Sequence, residues 1–270
     1  MRRRRLIVLI GVLVLAGCAG DDGDPSEADG GASNDTPDAT TAEVETPAAP
    51  FEWEVTSVDF GYELATSEVP AGPVQVTQVN EGDEEHQVTL IRLDDGQSAD
   101  DLATLIAEEG DAALAPAAFA GGPNGVPGGE TNTALVELAA GEYVAYCFIP
   151  QHAQQGMVEP FTVTGESAGP AEVESASTIR LDDFAFDVPD DWDGQGAVEV
   201  VNDGSQPHEL TIVSDGQTGA GGLTAIAPGA TGFVDLALRP GRYQFVCFVA
   251  DPATGQIHLQ LGMQSEVTIT

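Results

Sequence analysis

The chain has 270 residues, with 45 acidic against 8 basic side chains, a formal net charge of −37 and 42% hydrophobic residues. No lysine occurs and Arg2 to Arg5 supply half of the basic side chains. That excludes a nucleic-acid surface, which needs clustered cations facing phosphate, and direct adsorption to an anionic lipid face. The balance allows a cationic partner, a bound cation, or a surface kept soluble at high salt.

In chain order, the first feature is an address. Arg2 to Arg5 precede the apolar run Leu6 to Leu15, which is too short to span a bilayer and has the charged and apolar regions of a secretory signal. The run ends in Leu15-Ala16-Gly17-Cys18, which resembles the lipobox of bacterial lipoproteins. The resemblance implies cleavage after residue 17 and lipidation of Cys18. Residues 18–50 are rich in Asp, Glu, Gly, Ala, Ser, Thr and Pro, with Val44 the only large aliphatic side chain, so they are expected to stay disordered. A tether of that length spans ~30 Å. The expected location is the extracytoplasmic face of the cell membrane, with the lipid as the only membrane contact, where disulfides are allowed.

Residues 51 to 270 then repeat. Val79-Asn80-Glu81-Gly82 matches Val201-Asn202-Asp203-Gly204, and each Asn is followed by a histidine, His86 and His208, that opens an apolar run. Further on, Gly141-Glu142-Tyr143 matches Gly241-Arg242-Tyr243, each followed by a cysteine, Cys147 and Cys247, and then by Gly156-Met157 and Gly262-Met263. The expected domains are 51–164 and 177–270, joined by a Gly, Ser, Pro and Glu-containing linker over 165–176.

Val55 to Val58, Val74 to Val79, Tyr143 to Phe148, Ala197 to Val201 and Tyr243 to Phe248 are short, β-branched or aromatic, and bounded by turn residues, so they are expected as strands. One helix is expected over Ala99 to Glu109, with Ser98 as N-cap and Asp100 and Asp101 in the first turn. It falls in an insertion, roughly 94 to 130, that the second half lacks. The expected fold class is all-β: two tandem sandwiches, the first with a helical insertion.

The scarce residue types share one pattern. Apart from Cys18 and Met1, each half holds His, Cys, His and Met in that order: His86, Cys147, His152 and Met157, then His208, Cys247, His258 and Met263. Two imidazoles, a thiolate and a weak thioether suit copper in a type 1 site. Each residue type also has an ordinary use: a lone histidine as a satisfied polar group, a lone Met as core filler, and the two cysteines as buried thiols or partners in a disulfide. Equivalent positions in two domains seldom come within the ~7 Å between Cα atoms that a disulfide needs.

Tyr146-Cys147-Phe148-Ile149-Pro150-Gln151-His152-Ala153-Gln154-Gln155-Gly156-Met157 is similar to the closing ligand loop of the cupredoxin family. Asn202 to His208 looks like the plastocyanin-type segment that carries the first ligand. The resemblance covers both halves and implies a Greek-key β-sandwich in each, up to two type 1 coppers per chain on the eight residues named, and one-electron transfer with a redox or copper-exchange protein. The acidity of the chain allows that partner to be cationic. The second loop departs from the family in placing ten residues between Cys247 and His258, a length expected to leave it mobile. The acids beside the first histidines, Glu84, Glu85 and Glu209, are expected to face solvent.

Enzymatic readings fit less well. Phe148 and Phe248 stand where a multicopper oxidase places the histidine that couples to further coppers. Zinc hydrolysis would want carboxylate and water, and neither a hydrolase triad nor a phosphate-binding loop is visible. A non-enzymatic role is expected. Copper capture or delivery without redox work, and a metal-free interaction module, remain the alternatives.

Overall fold

The computed structural model describes residues 49–167, 169–215 and 218–270. The signal segment, Cys18 and the tether up to residue 48 lie outside the described residues. No described helix is long and apolar enough to cross a membrane.

Alternating burial builds the strands. In β1 (Phe51–Val58) Trp53, Val55 and Ser57 point inward while their neighbours face out. The first half continues with β2 (Gly61–Leu64), β3 (Glu68–Pro70), β4 (Gly72–Asn80), β5 (Thr89–Arg92), α1 (Ala99–Glu109), β6 (Thr131–Leu138), β7 (Gly141–Tyr146) and β8 (Val158–Thr164). The second comprises β9 (Ser177–Asp182), β10 (Ala185–Asp187), β11 (Gln195–Asn202), β12 (His208–Ser214), β13 (Gly219–Ile226), β14 (Thr231–Ala237), β15 (Gly241–Val246) and β16 (Gln264–Ile269).

The all-β class is as expected, and the helix takes the expected bounds. Ser98 Oγ accepts from Asp101 N at 3.1 Å, and the Asp101 carboxylate accepts from Ser98 N at 3.0 Å, a reciprocal cap. Hydrogen bonds from the Ser98 hydroxyl and main-chain N–H hold the Asp101 carboxyl below its ordinary range.

Each half places a four-stranded sheet against another. One sheet of the first half is β3-β8-β7-β5, and its counterpart in the second half is β13-β12-β15-β16. The other two sheets join edge to edge through β14 and β6 into one sheet of order β10-β9-β11-β14-β6-β4-β1-β2. The parallel pairing of β1 with β4 recurs as β9 with β11, and the hairpin β1–β2 recurs as β9–β10. The repeated tyrosines close equivalent turns. Tyr143 Oη donates to Ala139 O at 2.9 Å and Tyr243 Oη to Arg239 O at 3.0 Å.

The insertion proves shorter than the sequence spacing suggested. Residues 119–126 occupy the place that β13 takes in the second half: His86 bridges Val126 as His208 pairs with Ile226, and Gly121-Gly122 corresponds to Gly221-Gly222. These two segments also pair with each other, Pro123 with Leu223 and Ala120 with Ile226. Where β6 meets β14, Leu135 lies against Phe233. Both joints bring equivalent residues of the repeat together, the arrangement of an isologous dimer within one chain. Two acids fasten the halves further. Glu85 accepts from Gly219 N at 2.8 Å and Asp111 from Ala250 N at 3.1 Å.

Candidate metal centres

The first histidine of each half is set by the repeated Asn-x-Gly. Asn80 Nδ2 donates to Glu84 O and Val126 O, both at 2.8 Å, and Asn80 Oδ1 accepts from Gly82 N at 3.0 Å. Asn202 does the same with Gln206 O, Ile226 O and Gly204 N at 2.8, 2.9 and 3.0 Å. A buried amide thus ties the loop before the histidine to the strand beside it. The glycine is there for space. A β-carbon at Gly82 would stand 2.7 Å from His86 Nε2, and one at Gly204 2.6 Å from His208 Nε2.

The other residues come from the loop after β7 or β15. Cysteine follows the strand, a short 3-10 turn carries or follows the second histidine, and a left-handed glycine, Gly156 (φ 118°) or Gly262 (φ 110°), ends it before the methionine. Met157 N donates to His152 O at 3.1 Å and Met157 O accepts from Cys147 N at 3.3 Å. Met263 repeats this with His258 and Cys247 at 2.9 and 3.4 Å. Both methionine side chains are fully buried beside their cysteines' strand ends.

The structure brings His86, Cys147 and His152 together, and likewise His208, Cys247 and His258, with one nitrogen or sulfur of each residue within 4.8 Å of the others. All six are buried. Nδ1 of His86 lies 3.1 Å from Nδ1 of His152, and Cys147 Sγ lies 3.6 Å from the latter. The second group has the corresponding 3.0 and 3.4 Å. Both cysteines are free thiols, so no disulfide joins the halves.

The outer nitrogens show what the inner ones are for. His86 Nε2 lies 3.2 Å from an Asp59 carboxylate oxygen, His152 Nε2 3.1 Å from Glu84, and His208 Nε2 3.0 Å from Asp183. A carboxylate only accepts, so the hydrogen bonds to Asp59 and Asp183 place a proton on Nε2 of His86 and His208, and in the neutral ring that leaves Nδ1 as a lone pair. In the first site the two Nδ1 atoms face each other at 3.1 Å. Nitrogen and sulfur ligands about 2.0 and 2.3 Å from a common ion have separations of this size.

The surroundings point the same way. Burial pushes the Cys147 thiol up to about 11 and the Cys247 thiol well above its ordinary value, although main-chain N–H groups of Gln87 and Ile149, or Glu209 and Val249, draw them down. Burial lowers His152 and His208, and lowers His258 to about 4 with the neighbouring His208 adding to the effect. Each site thus disfavours both a bare thiolate and an imidazolium, and a metal cation offsets the cost of the first. The donor set of two imidazoles and a thiol, with a buried methionine bonded through its main chain to the same cysteine and histidine, fits copper.

Two expectations need correction. Of the acids flanking the first histidines, Glu84 is exposed as expected, with a carboxylate oxygen 3.1 Å from His152 Nε2, but Glu85 accepts from Gly219 N and Glu209 is buried, accepting from Phe248 N at 2.7 Å. Glu85 and Glu209 are each held by a donor the sequence sets far away. The ten-residue second loop is not left open. Asp251 and Gln256 bond across its neck, Asp251 N to Gln256 O at 2.8 Å, Ala250 bridges Ile257, and the Asp251 carboxylate accepts from Thr254 N and Oγ1 at 2.7 Å. The extra residues close on themselves and deliver His258 to the same place as His152. Sequence reasoning also missed Asp59 and Asp183, although the dipeptides Asp59-Phe60 and Asp183-Phe184 were a visible signal. Each phenylalanine has positive φ, 64° and 65°, and sits edge-on to the second histidine of its site, at 5.4 and 5.1 Å between centroids.

A cavity of about 420 Å³ lies where the two ligand loops approach each other, walled by Phe119, Phe148, Phe248 and Ile257.

No family model matches the chain, and no curated protein matches it. Among solved structures it is similar to the dithionite-reduced auracyanin of Roseiflexus castenholzii, at 23% identity over 44% of this chain and all of that one, with a TM-score of 0.34. Auracyanin A, a blue copper protein of Chloroflexus aurantiacus, gives 21%, 43%, 100% and 0.33. A multicopper oxidase matches over 81% of this chain and 88% of its own, at 11% identity and a TM-score of 0.27.

Proposed function

We propose that the protein is a type 1 copper protein that passes single electrons at the extracytoplasmic face of the cell membrane, held there by lipid on Cys18. The observation that carries this reading is the duplicated buried group of two facing imidazole nitrogens and a thiol. His86, Cys147 and His152 would hold one copper, with Met157 as the weak fourth ligand. His208, Cys247, His258 and Met263 would hold the other. Copper bound there supplies one-electron exchange between its Cu(I) and Cu(II) states.

The chain's own contribution is to keep the ligands in place through that exchange. Main-chain bonds fix both ends of each ligand loop, Asn80 and Asn202 fix the first histidine, and burial excludes water. A site that does not rearrange between oxidation states exchanges electrons with little reorganisation. The partner would be a redox protein whose basic surface meets this acidic one, and no catalysis is ascribed to the chain.

Copper loading of the purified protein, metal analysis and a visible spectrum test this. Two coppers per chain and an intense thiolate-to-Cu(II) band are expected, with Cys147→Ala and Cys247→Ala each removing one copper and about half of the band. Tight Cu(I) binding without the band would instead indicate copper delivery. No copper uptake would sink the reading.

A further inference from the structure

The Asp-Phe turn that precedes each site is a duplicated device the metal ligands alone do not account for. In the first half, Asp59 Oδ1 accepts from Asp83 N at 2.9 Å and Glu84 N at 3.3 Å, which pins the carboxylate, and the same oxygen lies 3.2 Å from His86 Nε2. In the second, Asp183 accepts from Ser205 N and Oγ at 2.9 and 2.6 Å and lies 3.0 Å from His208 Nε2. The anchors differ in kind, main chain alone in one half and a serine in the other, yet the carboxylate reaches the same nitrogen. Gly82 and Gly204 leave room for this: a β-carbon would also come within 2.5 Å of Asp59 Oδ1 and 2.7 Å of Asp183 Oδ1.

The second histidines are treated unequally. His152 Nε2 meets the Glu84 carboxylate at 3.1 Å, whereas His258 Nε2 meets the Gln206 amide oxygen at 3.3 Å. Glu84 and Gln206 are equivalent positions, each two residues before the first histidine. We infer that Asp59 and Asp183 are positioning residues that fix His86 and His208 with Nδ1 turned to the metal, and that Glu84 adds to the first site a bias toward Cu(II) that Gln206 does not give the second.

This rests on the copper reading for its redox part and on geometry for its positioning part. A carboxylate bonded to the outer nitrogen, as Asp59 and Asp183 are, raises the basicity of the inner one, and one at ion-pair distance, as Glu84 is, stabilises through its charge the extra positive charge of Cu(II) over Cu(I). Removing that charge raises the midpoint potential. An electron leaving one site for the other makes the first ion Cu(II) and the second Cu(I), with no proton moved. All three carboxylates are between about a third and a little over half exposed, so solvent screens them. The expected effect is about threefold to tenfold in the ratio of Cu(II) to Cu(I) affinity, and tenfold corresponds to about 59 mV for one electron.

The test uses the full chain with one site silenced, Cys247→Ala to read the first and Cys147→Ala to read the second. Asp59→Asn and Glu84→Gln should each raise the first potential, Asp183→Asn should raise the second, and Gln206→Glu should lower it. Asn keeps the acceptor for the neighbouring N–H groups, so a merely structural role would leave the potential unmoved, and that result overturns the proposal. Glu84 and Gln206 lie outside the core bonds of the fold, so their variants remain informative if an Asp variant fails to fold. Separately, ¹⁵N spectra of the metal-free protein should show His86 and His208 protonated on Nε2, with Asp59→Ala and Asp183→Ala mixing the tautomers. Protonation on Nδ1 in the parent overturns the positioning role. Failure to take up copper would end the copper reading, while the tautomers still decide the positioning.

Discussion

The two halves set an acid and an amide on opposite sides of their first histidine. Glu84 precedes His86 and Gln87 follows it, whereas Gln206 precedes His208 and Glu209 follows it. The preceding side chain reaches the outer edge of the site, where Glu84 touches His152 and Gln206 touches His258. The following one points inward. Gln87 donates to Thr89 Oγ1 at 3.1 Å, while Glu209 is 6% exposed and accepts from Phe248 N. The backbone, the Asn-x-Gly bonds and the Asp-Phe turn are duplicated almost bond for bond, yet the charge has moved from the rim in one half to the interior in the other. The framework that places the ligands and the charges that surround them are thus separable.

The largest expected effects test whether the framework is as equal as it looks. Gly122 (φ 130°) and Gly222 (φ 112°) hold equivalent places, and a β-carbon at either would overlap a carbonyl oxygen of the neighbouring strand, that of Val88 or Leu210. Gly122→Ala and Gly222→Ala should each cost about 3–5 kcal/mol, from a strained backbone and a forced strand separation together. Denaturant unfolding of the metal-free protein measures both. A variant that loses less than about 1 kcal/mol would break the equivalence of residues 119–126 with β13.

Next comes the buried charge. Burial pushes the Glu209 carboxyl up to about 7, although bonds from Phe248 N, Thr211 and Asn124 draw it down. A raised acid binds its proton more tightly in the folded than in the unfolded chain. Its burial therefore costs nothing below the ordinary carboxylate range, and stability is lost as pH rises from about 4.5 through 7. Glu209→Gln, which copies the first half, should stabilise the metal-free protein at pH 8 on the order of 3 kcal/mol and do little at pH 4. Equal stability of parent and variant at pH 8 would mean that Glu209 is as well solvated as Gln87.

Much of this was legible in the sequence. The repeat, the eight His, Cys and Met positions, the all-β class and the capped helix each rest on local chemistry: turn residues at fixed offsets, β-branched runs, a Ser three residues before an Asp. What stayed hidden depends on partners distant in the chain. Asp59 and His86 are 27 residues apart, and Asp183 and His208 are 25 apart, so neither pair falls within a helical or strand period. Glu85 meets a donor 134 residues away. The segment 119–126 was hidden for a related reason. Its three glycines and proline read as turn, and only pairing with residues 86–90 and with the other half makes it strand-like. The length of the second loop misled because sequence shows how many residues it has and not that Asp251 and Gln256 close it.

That closed loop gives a smaller and more local contrast. Asp251→Ala removes the acceptor of Thr254 N and Oγ1 and frees the neck that delivers His258. The first half has no counterpart, since only four residues separate Cys147 from His152. Copper affinity should fall about tenfold at the second site and stay unchanged at the first. Competition against a chelator, with one site silenced at a time, reads both. An unchanged second site would mean that the bonds of His258 N to Val249 O and Leu259 N to Cys247 O, at 2.9 and 2.8 Å, hold the histidine without help.

The smallest contrast concerns the residue after each cysteine. Phe148 is half-buried, with its ring 4.6 Å from that of Tyr146 and 6.4 Å from that of Phe119, whereas Phe248 is 46% exposed. Phe148→Ala should cost about 1–2 kcal/mol through lost aromatic contact and burial. Phe248→Ala should stay within about 0.5 kcal/mol, as for most exposed positions. Unfolding midpoints of the metal-free variants give both values. If Phe248→Ala instead slows electron exchange with an acceptor while stability holds, the exposed ring is part of the surface that meets it, and the halves differ in contact with a partner as well as in charge.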